Sequence, residues 1–184
     1  MREFYRKIFH LVFGLAIAAM IFFTPKTISL SLLTLGTLIG VIFIDAVLRG
    51  YHIPVISLLI DGLERREALP GKGALYFAIS SVFCVVFFEK EVVVPAIVAL
   101  SVLDGIAGII GTYFGRHPII KGKTAEGTFA GMAVTFLALL PLITIPESAL
   151  ASFLAGIVEL FSPIDDNLLI PVSVCIVLTL VGAV

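Results

Sequence analysis

Between positions 116 and 127 the chain reads RHPIIKGKTAEG, placing Arg116, Lys121 and Lys123 just ahead of Thr124, Glu126 and Gly127. Closely spaced cations complement phosphate. Thr124 stands where a helix N-cap would, so a helix opening at Glu126 and Gly127 would turn its N-terminal N–H groups toward the basic loop. The GKT inside this stretch is not a P-loop. That motif needs G-x-x-x-x-G-K-[ST] directly after a buried strand. Here His117 stands five residues before Gly122, and a long apolar segment rich in Gly and Ala precedes the stretch. A second set is acidic. Asp104 lies within an apolar run and is followed by Gly105, Gly108, Gly111 and Gly115, whose spacing lets a neighbouring helix or a ligand approach the backbone. Glu159 and the run Asp165-Asp166-Asn167 offer oxygen ligands, the type that suits Mg²⁺ with water and phosphate completing its shell. A third set opens the chain. Arg6 and His10 are one helical turn apart with Lys7 beside them, a stripe of cations and imidazole.

The elements that must carry these groups are set by composition. Of 184 residues 60% are hydrophobic and 14% charged, with a mean hydropathy of +1.18. Soluble domains are about 45–50% apolar, so the chain reads as an integral membrane protein. About 20 apolar residues cross a bilayer, which divides the chain into seven candidate spans near 8–23, 28–48, 73–89, 92–114, 126–145, 148–161 and 168–184, the sixth being short. The predicted fold is an all-α, polytopic transmembrane bundle forming a single domain over 1–184, with no room for a soluble lobe and no cleavable signal peptide. Residues 54–67 place Val55, Leu58, Leu59 and Leu63 on one side of a helix expected to lie in the membrane interface. Cys84 and Cys175 sit in apolar runs without metal or redox spacing and read as small core residues.

Lys and Arg accumulate on the cytoplasmic side of membrane proteins. With the N-terminus inside, only Lys26 and Lys90 of the twelve Lys and Arg residues fall outside. Asp104, Glu126, Glu159, Asp165 and Asp166 then belong to the same cytoplasmic half. A charge at membrane depth costs at least about 2.5–3.5 kcal/mol, so Asp104 demands a reason. Cations for a polyphosphate, carboxylates for Mg²⁺ and an apolar interior together form the inventory for phosphoryl or nucleotidyl transfer to a lipid.

The ordered set RKIFH (6–10), ERREALPGKGALYF (64–77), LDGIAGIIGTYFGR (103–116), KTAEGTFAG (123–131) and Glu159 with 165–167 resembles the CTP-dependent lipid kinase family of dolichol or polyprenol kinase, phytol kinase and CTP-using diacylglycerol kinase. The resemblance runs over nearly the whole chain, with Leu103 standing where many members have Gly before the Asp. It implies transfer of the γ-phosphate of CTP to a membrane lipid alcohol at the cytoplasmic face with Mg²⁺. On this chain it implies Arg6, Lys7, Lys72, Arg116, Lys121, Lys123, Thr124 and Gly127 around the nucleotide. Asp104, Lys123, Glu126 and His10 take catalytic roles, and Asp104, Glu159, Asp165 and Asp166 are metal candidates. The loop from Glu64 to Lys72 is the candidate for reading the base.

Two alternatives stay open. The D-x-x-A-x-x-x-G then K-T-x-E-G arrangement is also similar to phosphatidate cytidylyltransferases, whose His-Gly-Gly and Asp-Arg-x-Asp stretch this chain lacks. A small transporter would distribute polar groups through both halves of the membrane, whereas here they gather in one. The lipid bilayer, CTP and a lipid alcohol are the expected partners, and nucleic acid is not. Small-residue pairs Gly111/Gly115 and Gly127/Gly131 suit contacts within or between chains, so a homo-oligomer is allowed.

Overall fold

The computed structural model describes residues 2–51 and 71–182. Among them the chain forms seven helices and no strand: α1 (Arg2–Phe23), α2 (Lys26–Leu48), α3 (Lys72–Phe87), α4 (Lys90–Phe114), α5 (Ala125–Leu139), α6 (Ile145–Phe161) and α7 (Asp166–Leu180). The all-helical reading holds, and α1, α2 and α4 are long and apolar enough to cross a membrane. The interfacial helix expected over 54–67, together with Glu64, Arg65 and Arg66, lies outside the described residues.

α4 is the axis of the bundle. Its residues Val92 through Leu103 are all buried, and α1, α5 and α7 pack around it. α1 presents Leu11, Gly14, Ala18 and Ile21 inward at helical spacing. Close approach is set by small residues. A Cβ on Gly105 would lie 3.1 Å from Leu11 Cβ, and one on Gly14 would overlap Ser101. Across the other face of α4, a Cβ on Gly127 would come 2.6 Å from the Ala107 carbonyl, and one on Gly131 would come 3.2 Å from the Leu103 carbonyl. The Gly111 and Gly127/Gly131 positions are therefore used within the chain, to bring α4 and α5 into backbone contact.

Helix ends explain where the helices differ from the apolar runs. The run expected to continue to 145 stops at Leu139, because Pro141 cannot donate to a continuing helix. The Leu142 and Ile143 N–H groups turn back onto the Leu139 carbonyl instead. The short sixth segment becomes a helix of 17 residues. Its start is fixed by the Glu147 carboxylate, which accepts the Thr144 N–H at 2.8 Å. Cys84 on α3 and Cys175 on α7 are fully buried core residues, as expected. Their thiols meet across the two helices.

Candidate functional site

Contacts between distant helices place one polar end on the bundle. Asn167 at the start of α7 reaches the Gly73 carbonyl at the start of α3. Lys7 near the start of α1 reaches Asp104, just past the middle of α4. Lys123, just before α5, reaches Glu159 at the end of α6 and Asp166 at the start of α7. At the other end Lys26 donates to the Phe88 carbonyl at 3.0 Å and lies 3.5 Å from Glu89. The chain alternates direction, so α1, α3, α5 and α7 begin at the polar end and α2, α4 and α6 finish there.

Two ion-pair nodes occupy this end. In the first, Lys7 Nζ lies 2.5 Å from Asp104 Oδ1, with both side chains largely buried. Gly108 makes the pair possible, since a Cβ there would sit 2.8 Å from Lys7 Cδ and block the stem. His10 Nε2 stands 3.9 Å from Asp104 Oδ2. It is buried without a hydrogen-bond partner, and the ring meets Phe77 edge-on at 5.5 Å. Arg6 pairs with Glu3.

In the second node Lys123 Nζ is held by three oxygens: Asp166 Oδ2 at 2.9 Å, Glu159 Oε1 at 3.2 Å and the Glu159 carbonyl at 2.7 Å. Burial works against the Lys123 charge, but the two carboxylates outweigh it and raise its pKa above the usual lysine range. The second Glu159 oxygen, Oε2, is buried without a partner. Asp165 caps α7 by accepting the Asn167 N–H at 3.2 Å, and burial, reinforced by Asp166, pushes its carboxyl pKa up. The nodes feel each other: Asp104 is within Coulombic range of Lys123, Glu159 and Asp165, and His10 is within range of Asp166. Lys72 lies near Asp165 and over the Tyr76 ring.

The basic loop folds as a tight reversal. Ile119 N–H donates to the Lys123 carbonyl and Lys123 N–H to the Ile120 carbonyl, both at 2.9 Å. Lys121 (φ 51) and Gly122 (φ 75) occupy the turn centre with positive φ, the pattern of a type I′ hairpin turn. GKT is thus a hairpin corner. Gly122 adopts that backbone without cost, whereas Lys121 does so against its Cβ. The turn aims Lys121 at the Ser162 carbonyl and Lys123 inward, and leaves Arg116 exposed.

Thr124 is the N-cap expected, its Oγ1 accepting the Gly127 N–H at 3.3 Å. The helix start differs from the anticipated row of free donors. Ala125 N–H is taken by the His117 carbonyl, and Gly127 is packed against α4. Glu126 ties the loop to α5: Oε2 accepts the Arg116 and His117 N–H groups at 3.1 and 3.2 Å, and Oε1 lies 2.5 Å from His117 Nδ1. Its placement is that of a loop clamp. Among the described residues no three His, Cys, Asp or Glu side chains group closely enough to hold a metal unaided. Asp104 stands with Lys7 and His10, apart from the Glu159/Asp165/Asp166 set. The pairing of Lys7 with Asp104 across 97 positions carries no sequence signal beyond the Gly108 gap that permits it.

Over 182 residues the chain is 32% identical to MJ1137, an uncharacterized protein of Methanocaldococcus jannaschii, a match that covers 97% of this chain and 93% of that protein. No protein-family model matches the chain. No solved structure matches it.

Proposed function

We propose that this chain, which belongs to one family with the archaeal MJ1137, is a multi-pass membrane kinase that transfers the γ-phosphate of CTP to a lipid alcohol, with its polar end on the cytoplasmic side. The observation that carries the reading is the convergence of two buried lysine–carboxylate nodes at one end of an apolar bundle. Desolvating their five charged groups there is costly and is not needed for helix packing. The resemblance of the motifs bearing those residues to CTP-dependent lipid kinases supplies the donor and the acceptor class, with dolichol or polyprenol foremost and phytol, geranylgeraniol or diacylglycerol also fitting an apolar site.

In this reading Lys123 and Lys121, with Arg116 and Lys72 at the rim and Arg6 beside them, neutralise the triphosphate. Lys7 holds Asp104 in place. Phosphoryl transfer passes through a loose transition state, so positioning and charge neutralisation carry most of the rate. Glu159 and Asp166, with Asp165 adjacent, form an all-oxygen donor set. The unpartnered Glu159 Oε2 is the acceptor such a set would offer Mg²⁺. When bound, that ion would neutralise charge on the phosphates. Lys123 neutralises the same carboxylates in its absence.

The test is incubation of detergent-solubilised protein and Mg²⁺ with CTP labelled in parallel at the α or γ position, offering polyprenol, phytol, diacylglycerol and phosphatidic acid separately. γ-Label in the lipid with CDP released is the expected result, abolished in Asp104→Asn and Lys123→Ala. α-Label with pyrophosphate released would replace the kinase by a cytidylyltransferase. No labelled lipid from any acceptor would move weight to a transport role.

A further inference from the structure

We infer that the gap between His10 Nε2 and Asp104 Oδ2 is the seat of the acceptor's hydroxyl group, so that the first ion-pair node serves the lipid alcohol and the second serves the nucleotide; this rests on the kinase reading for its chemistry, though not for its binding. The two atoms are 3.9 Å apart, too far to hydrogen-bond. Lys7 occupies Oδ1, and Nε2 is buried with no partner. A buried nitrogen left unpaired calls for an explanation.

One oxygen about 2.8 Å from both atoms, lying roughly 2 Å off the line joining them, would pair both. That oxygen must accept from Nε2–H and donate to a carboxylate. A hydroxyl does both, whereas a phosphate oxygen accepts only and would meet the Asp104 charge unshielded. The site therefore selects an alcohol over a phosphate. His10 is also the last charged or hydrogen-bonding side chain of α1 before an unbroken apolar run to Phe23. On the outer side of the same turns Phe9, Val12 and Phe13 are exposed, and the Phe9 and Phe13 rings stack. A long apolar tail lying against that face would end in a hydroxyl at the level of His10.

In the transfer step the hydroxyl O–H bond breaks and its oxygen forms a bond to the γ-phosphorus. The bond from that phosphorus to the β,γ-bridging oxygen breaks, its electron pair leaving on CDP. The proton passes to Asp104 Oδ2. His10 keeps its own proton and fixes the hydroxyl's orientation.

The experiment measures binding of a tritiated long-chain prenol and of its methyl ether to the detergent-solubilised protein without nucleotide, then KM for prenol and for CTP, in the parent chain, His10→Leu and His10→Gln. The ether cannot donate to Asp104. The parent should bind the prenol about tenfold tighter than the ether, as loss of one buried hydrogen bond requires. His10→Leu should lose about tenfold in prenol affinity and raise KM for prenol alone, and His10→Gln, which restores an N–H, should recover most of it. Equal binding of prenol and ether by the parent would overturn the seat even if both variants misfold. So would a His10→Leu change that falls on KM for CTP. Normal discrimination of prenol from ether without γ-label transfer would support the seat and remove the kinase reading.

Discussion

Removing the Lys123 ammonium should damage the fold more than any other single change at the polar end. In Lys123→Met, Glu159, with only 5% of its side chain exposed, loses its cation. Breaking a buried pair by removing one partner costs about 3–5 kcal/mol. Lys123 is itself 23% exposed, and Asp166 equally so, which points to the lower end, about 3 kcal/mol. For a chain of this length that is a fall in Tm of roughly 6–12 °C. Glu159→Gln should cost only about 1 kcal/mol, because Lys123 keeps Asp166 and the Glu159 carbonyl. The double variant removes both charges and should recover at least half of the Lys123→Met loss. The Lys123 pKa is raised in the folded chain, so its stabilisation is fully present below the ordinary 10.5 and is lost only as pH rises through the folded value. Its share of the penalty should therefore not vary between about pH 6 and 8. The chain has no Trp, but Cys84 and Cys175 are fully buried, so a thiol-reactive fluorogenic dye in detergent reports unfolding directly. A Lys123→Met protein melting within about 2 °C of the parent, or a double variant no better than the single, would refute the assignment of Glu159 as a charge that Lys123 compensates.

Three further outcomes are expected. Gly127→Ala should lower stability by about 1–3 kcal/mol, because its Cβ would meet backbone atoms of Ala107 and Gly111 that cannot move aside. Gly36→Ala and Gly40→Ala, with open space around them, should be neutral or stabilising by up to about 1 kcal/mol; the same dye assay separates the two classes. Asp165 has its pKa raised by burial and by Asp166, so its contribution is most favourable below the ordinary 3.8 and is lost as pH rises through the folded value. Asp165→Asn, which keeps a good N-cap, should therefore raise Tm by about 1–3 °C at pH 7 in chelator, with the gain shrinking toward pH 4; a lower Tm at pH 7 would contradict the burial argument. Glu126→Ala frees the Arg116 and His117 N–H groups, so limited trypsin digestion should cut after Arg116, Lys121 or Lys123 several-fold faster than in the parent. Unchanged cutting would mean the hairpin holds itself.

The helices were legible because the apolar runs are long and their breaks carry Pro, Gly or paired charges. The error at α5 came from reading hydropathy through Pro141, whose missing N–H ended the helix while the residues around it stayed apolar. Candidate site residues were legible as types: Lys7, His10, Asp104, Lys123, Glu159 and Asp166 all converge on the polar end. Their partners were not. Lys7 meets Asp104 only because α1 crosses α4 where Gly108 leaves room. Cys84 meets Cys175 only because α3 and α7 are neighbours. Such pairings depend on helix order, which periodicity does not encode.

Glu126 shows the same limit from the other side. A carboxylate in the first turn of a helix beside a basic loop suits a catalytic base and a loop clamp equally well, until the turn at Lys121 and Gly122 brings the Arg116 and His117 N–H groups onto it. The consequence reaches the site. A hairpin pinned by Glu126 at its base, with Lys121 held by Ser162 at its tip and Lys123 inserted between Glu159 and Asp166, binds the basic loop to α6 and α7 at three points. Phosphate arriving at that loop must compete with carboxylates for Lys123, while those carboxylates gain an alternative cation only if the phosphate brings one. On the kinase reading, donor and metal are then expected to bind with positive coupling at the second node.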